Sequence, residues 1–224
     1  MDNLSSPLGY GCRSSVQTNK EIEMKIASMF AVALSFGLIA SLAHAENRRP
    51  SNWGGGPNGY DVTLDTETKL SGASSVCLSK SPQDTKHKFG TIVQAVSASK
   101  YAGKRLRFSG YIKTQNVTSY AGLWLRVDSA NRGSVAFDNM ESRPITGTND
   151  WYKYEIVLDI PEDGAMINFG ALLKGDGKIW IEDLSFEIVT DTIEPTHELI
   201  RPTNQKITIP TSLALEPQNL SFDT

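Results

Sequence analysis

The sequence predicts an all-β fold, two sheets packed face to face as a sandwich, and three observations carry that prediction. From Tyr60 onward, short segments alternate apolar and polar residues with a period of two, as strands with one buried face do. Turn residues punctuate them, notably Pro161-Glu162-Asp163-Gly164 and Gly175-Asp176-Gly177. No helix-period stretch longer than a turn or two follows residue 45. With 224 residues, 39% of them hydrophobic, the chain can core one such domain and carry extra segments.

Residues 1–23 are polar, lack a periodic apolar face, and read as a non-native leader before a start at Met24. Residues 24–45, MKIASMFAVALSFGLIASLAHA, read as a signal peptide: Lys25 supplies the positive start, Ile26 to Leu42 the apolar run, and Ala43-His44-Ala45 the small-x-small cleavage site. The mature chain is then expected to begin at Glu46, in the periplasm or outside the cell. The competing reading, an uncleaved anchor, meets an apolar run near the lower length limit for a spanning helix and diluted by Ser35 and Gly37. No stable membrane insertion is expected after cleavage. Loss of the leader removes Cys12 and leaves Cys77 alone, so no internal disulfide is expected despite an oxidising destination.

The sandwich is expected over 46–189. In KRLRFSGYIKT, Leu106, Phe108 and Ile112 share one face, while Arg105, Arg107, Tyr111 and Lys113 share the other. GLWLRVD sets Leu123, Leu125 and Val127 against Trp124, Arg126 and Asp128; YKYEIVLDI sets Tyr154, Ile156 and Leu158 against Lys153, Glu155 and Asp159. YDVTLD, SSVCLS, FGTIVQAVS, SVAFDN, AMINFGALLK and GKIWIEDLSFEIV complete the strand set, with Trp180 expected in the core between Ile179 and Ile181. Residues 190–217 carry Pro195, Pro202, Pro210 and Pro217 and read as an extended linker, and 218–224 as a short C-terminal strand.

Several chemistries are excluded or disfavoured. A formal charge of −3 without a cationic block argues against nucleic acid as partner. His87 and His197 lie in separate segments, and no nucleophile elbow, H-E-x-x-H or phosphate loop occurs, so no zinc site or histidine triad is indicated. GGGPNG matches a dinucleotide fingerprint only formally, since Pro57 intervenes where a strand should meet a helix. Asp159, Glu162, Asp163, Glu182 and Asp183 are glycosidase carboxylates by type alone, and no insertion builds a cleft around them. The chain is therefore read as a non-enzyme.

The aromatics say more. Trp124, in register with Arg126, and Tyr111, beside Arg107 and Lys113, fall on the polar faces of their strands. A ring there can stack on the apolar face of a sugar while the cations hydrogen-bond its hydroxyls; the alternative is that a loop or the lead-in covers both rings.

Gln94 in GTIVQAV, Tyr101-Ala102-Gly103-Lys104, SGYIKT, Gly147-Thr148 to Trp151, YEIVLDI and GKIWIEDLSFEIV occur in an order that resembles the galactose-binding-like jelly-roll modules, in particular carbohydrate-binding modules of the CenC type, over Trp53 to Val189. FGT, GKRLRFSGY, AGLWLRVD, FDNMESRPITGT and FGALL resemble a subset in bacterial proteins labelled AraC-type regulators or effector-associated. No helix-turn-helix is recognised, so that label implies no activity here. The resemblance implies a jelly roll that binds carbohydrate or a cell-envelope glycan; the rival readings are a structural or regulator-associated interaction module, and a glycosidase. It also implies a structural calcium: Glu182 and Asp183 match the closing-strand acids, although no opening strand of the form N-L-x-F-E precedes Trp53. Asn219-Leu220-Ser221-Phe222-Asp223 resembles it instead, and a fold-back would bring Asp223 to the acid pair; the alternative is the start of a second module. The simpler reading of the acids is a structural turn with backbone donors. No cofactor is required.

Overall fold

The computed structural model describes residues 49–55, 59–84, 86–196 and 204–223, all within the compact unit Asn47–Thr224. The segments read as leader and signal peptide, with the expected cleavage site, lie outside the described residues. Among the described residues there are nine strands and no helix: β1 (Gly54–Gly55), β2 (Tyr60–Asp65), β3 (Ser75–Lys80), β4 (Phe89–Ser97), β5 (Arg105–Ser129), β6 (Gly133–Asp138), β7 (Ile145–Asp159), β8 (Met166–Lys174) and β9 (Lys178–Val189).

The sandwich turns on β5, which is 25 residues long and serves both sheets. Residues 105–115 pair with β7 and β9, and residues 120–129 pair with β8 and β6. Between them the register with β7 slips three times and Asn116 takes a left-handed φ of 54°, so the strand turns a corner. One sheet therefore runs β2-β3-β9-β5-β7 and the other β1-β4-β8-β5-β6, every pair antiparallel: a jelly-roll sandwich. Rings from both sheets interlock at its centre. Phe108 of β5 and Phe186 of β9 meet Phe169 of β8 at 5.3 and 4.5 Å.

The C-terminal segment belongs to this core. Phe222 is fully buried, 5.3 Å from Trp53, whose own ring meets Phe169 edge-on at 5.4 Å. Residues 220–221 form a turn rather than a strand, and Leu220 O accepts from the Leu184 amide. The segment read as a linker is also bound down: Asn204 and Ile207 donate to the carbonyls of Arg132 and Ala130, and Ala214 bridges to Val96 in parallel.

Trp180 is buried, as expected, but lies outside the central cluster. Ile179 and Ile181 are buried inward, so alternation sends Trp180 to the outer face of its sheet, where it donates to Asp65 Oδ2 at 2.8 Å. The neighbouring Cys77 is buried, and that burial raises its thiol pKa to about 11.

Candidate functional site

The outer faces of the two sheets differ in chemistry. On the β2-β3-β9-β5-β7 sheet, charges compensate one another across strands. Arg105 binds Asp159 at 2.7 Å, Arg107 binds Glu187 and approaches Glu155, and Lys113 binds Asp150 at 2.6 Å. Tyr111 lies among them with Lys153 Nζ 5.9 Å from its ring centre. Three of the five residues expected to bind ligand, Tyr111, Arg107 and Lys113, thus sit on this sheet, and the two cations already have carboxylate partners.

Trp124 and Arg126 sit on the other sheet, because β5 has turned its corner before reaching them. There the outward residues stand in rows across the strands: Phe89, Lys174 and Tyr120; then Thr91, Leu172 and Gly122; then Val93, Gly170 and Trp124; then Asn168, Arg126 and Phe137. Gly122 and Gly170 keep the middle rows low. A Cβ on Gly170 would fall 1.9 Å from the Ile92 carbonyl oxygen, so the strands' close approach there requires glycine. The Trp124 indole extends past β8 to β4, its Nε1 donating to Thr91 Oγ1 at 2.7 Å, which fixes the ring across the sheet. The result is a groove of about 500 Å3 with Phe89, Tyr120, Trp124, Phe137 and Leu172 as its apolar surface and Arg126, Lys174 and Glu141 as its charged groups.

The polar groups of the groove are held by neighbours. Tyr120 OH accepts from Asn139 Nδ2 at 3.2 Å; burial, then the nearby Glu141 charge, raises its pKa. Lys174 Nζ lies 5.4 Å from the Tyr120 ring centre and 3.7 Å from Glu141. Arg126 Nε and Nη2 both donate to Oδ2 of Asp128, which is 1% exposed and also receives Asn168 Nδ2 at 2.8 Å. Sequence reasoning missed Phe89, Tyr120, Phe137, Leu172 and Lys174 as site residues. Alternation within FGTIVQAVS, which opposes Phe89 and Thr91 to Ile92 and Gln94, could have found the first.

The acid pair is built otherwise. Asp183 takes a left-handed φ of 50° and forms a bulge: Glu182 pairs with Tyr111, and pairing resumes only at Ser185 with Ser109. The Glu182 carboxylate, almost wholly buried, accepts the backbone amides of Leu70 at 2.5 Å, Ser71 at 2.8 Å and Gly72 at 2.6 Å. Burial by itself raises its pKa, but those amide bonds together outweigh it and hold the group below its ordinary 4.5. Asp223 lies near Glu182 at Gly72, where an added Cβ would fall 3.2 Å from Glu182 Oε1 and 3.6 Å from Asp223 Oδ1, and its Oδ2 accepts from Ser221 Oγ. Glu182, Asp183 and Asp223 do not fit calcium as a set: N–H groups converge on Glu182 where calcium requires converging oxygens, and Asp183 is exposed. Among the described residues no three His, Cys, Asp or Glu side chains gather as a metal site. Among the described residues no helix is long and apolar enough to cross a membrane.

No protein-family model matches the chain. It is 40% identical over 170 residues to the uncharacterized HTH-type transcriptional regulator YbfP of Bacillus subtilis; the match takes in 76% of this chain and 55% of that protein, so the chain spans about half the length of the curated relative. Among solved structures, similarity extends to the enzymatically active domain of bacteriophage CBA120 tailspike protein 4, at 16% identity and TM-score 0.48 over 63% of this chain and 20% of that one. The C-terminal family 22 carbohydrate-binding module of Clostridium thermocellum Xyn10B is similar at 15% identity and TM-score 0.45, over 62% and 87% of the two chains. A family 16 carbohydrate-binding module follows at 18% identity and TM-score 0.46, over 64% and 94%.

Proposed function

We propose that this chain carries an exported, non-catalytic module that binds saccharide in the groove of the β1-β4-β8-β5-β6 sheet. The observation that carries the reading is the Trp124 indole, fixed by Thr91 across a floor of glycine, with further apolar rings beside it and charged groups at the rim. Sugar rings present apolar faces bordered by hydroxyls, and a flat aromatic surface next to donors suits both. Glu141 is the one carboxylate among the residues lining the groove, whereas glycoside hydrolysis ordinarily needs two flanking the bond. That supports binding over hydrolysis.

A glycan array followed by titration tests this. The Trp124→Ala variant is expected to lose about tenfold or more in saccharide affinity, as central aromatic anchors do. Its melting temperature should change far less than that of Phe169→Ala, a core truncation costing about 3–5 kcal/mol. Saccharide binding unaltered by Trp124→Ala would end the proposal. Export is read from residues 24–45, and N-terminal sequencing of protein recovered outside the cytoplasm is expected to begin at Glu46.

The 40% identity to a protein named as a transcriptional regulator favours a second reading, in which the module serves as a regulator-associated interaction domain. A folded module negative across the array, with a protein partner whose binding Trp124→Ala abolishes, would favour it.

A further inference from the structure

Resting on the saccharide reading, the geometry points to a narrower ligand class: we propose that the groove is built for a carboxylate-bearing saccharide, with Arg126 as the carboxylate receptor and Asp128 as the residue that positions it. The neutral polar groups of the groove already have protein partners. Thr91 Oγ1 accepts from Trp124 and lies 2.9 Å from the Ala171 carbonyl; Asn139 donates to Tyr120 through Nδ2 and accepts from the Glu141 amide through Oδ1. Besides the Tyr120 hydroxyl proton, what the groove offers for directed recognition is charged, and two of the three charged groups are cations.

Of these, Arg126 is the better placed. Its side chain is 42% exposed on the groove, yet the guanidinium is not free to swing, because Nε and Nη2 both reach one oxygen of a carboxylate that is itself 1% exposed. Among the described residues Nη1 has no partner. A guanidinium is planar, permanently charged and shaped for carboxylate oxygens, so one held still on a partly dry surface is a prepared receptor for them. Lys174 stands across the groove in the row of Phe89 and Tyr120, and its 3.7 Å approach to Glu141 is too long for a hydrogen bond, leaving a second cation within reach of the same ligand.

Asp128 explains why Arg126 stays. Its Oδ1 is buried with no hydrogen-bond partner among the described residues, so the charge rests on Arg126 and Asn168 through Oδ2 alone. A buried carboxylate so thinly supported cannot release its counterion cheaply. The carboxylate of a ligand therefore adds to the exposed edge of the guanidinium and does not displace Asp128.

The full mature chain is titrated with oligogalacturonate and oligoglucuronate, and with oligogalactose and oligoxylose of the same length. At least one uronate is expected to bind about tenfold or more tighter than its neutral counterpart, the effect of one charge-assisted hydrogen-bond pair, and to weaken as salt rises. Since Arg126→Gln alone would strand Asp128, the double variant Arg126→Gln, Asp128→Asn is used with it. That variant should erase the uronate advantage, read as the ratio of uronate to neutral affinity within each protein; Asp128→Asn alone should reduce it. Neutral sugars binding as tightly as uronates, or an advantage that survives the double variant, overturns the carboxylate assignment while the saccharide reading stands. No binding of any of the four by folded protein overturns both.

Discussion

Glu182 occupies a position where one atom decides the outcome. Three amides converge on its two oxygens, and each such bond to a charged group contributes about 1.5–3 kcal/mol. Glu182→Gln keeps the shape but turns an NH2 group toward at least one of those amides, donor against donor. The expected loss is about 3 kcal/mol or more in urea denaturation, larger than removal of one neutral hydrogen bond would give. The same residue sets an acid limit. Its folded pKa lies below the ordinary 4.5, so its contribution is complete above that value and is lost as pH falls through the depressed one. A stability profile from pH 6 downward should fall more steeply for the native chain than for Glu182→Gln. Equal slopes would mean that other carboxylates control acid unfolding, and Asp163, held at about 2 by Arg132 and Ser129, would be the next to test.

At the scale of strands, β8 carries the site. Gly170 lies between β4 and β5, and a methyl group there meets the Ile92 carbonyl at 1.9 Å, so Gly170→Ala must push β4 away from β8. A cost of about 1–3 kcal/mol is expected, together with weaker saccharide binding, because the floor beneath Trp124 rises. Unchanged stability would show that β4 yields without strain. What the sequence disclosed of these strands follows from what alternation measures. The period of two in GLWLRVD and YKYEIVLDI told which residues face inward, and Leu123, Leu125, Ile156 and Leu158 are indeed fully buried. Alternation does not say to which sheet an outward face belongs. Tyr111 and Trp124 lie on one unbroken strand and both face outward, yet the corner at Asn116 places them on different sheets. Trp180 shows a related limit: an unbroken apolar triplet reads as core, although one member of any such triplet must face away. The clasp on Glu182 was beyond reach for another reason, since its donors lie 110 to 112 residues earlier and no local pattern records them.

At the scale of the whole molecule, residues near both ends of the described chain complete the core. Trp53 donates to the Asn219 carbonyl at 3.0 Å, Gln94 clasps Gln218 through both its donor and its acceptor, and Phe222 fills the space beside Trp53. Phe222→Ala is expected to destabilise by about 3–5 kcal/mol, and deletion of 218–224 to lower the melting temperature by several degrees, comparably to that single truncation. A deletion without effect would make the buried ring dispensable. The Trp53 to Asn219 contact also joins residues 166 apart in sequence, which has a consequence for the order of events during synthesis. Strand pairings within 60–189 can form as soon as those residues have been made, but the cavity between Trp53 and Phe169 stays open until residue 222 has left the ribosome. Closure over such a separation is slow, because the entropy of joining distant segments must be overcome before any contact rewards it. A nascent chain therefore passes through a state with an open aromatic core and becomes rigid only once residues 220–222 have docked.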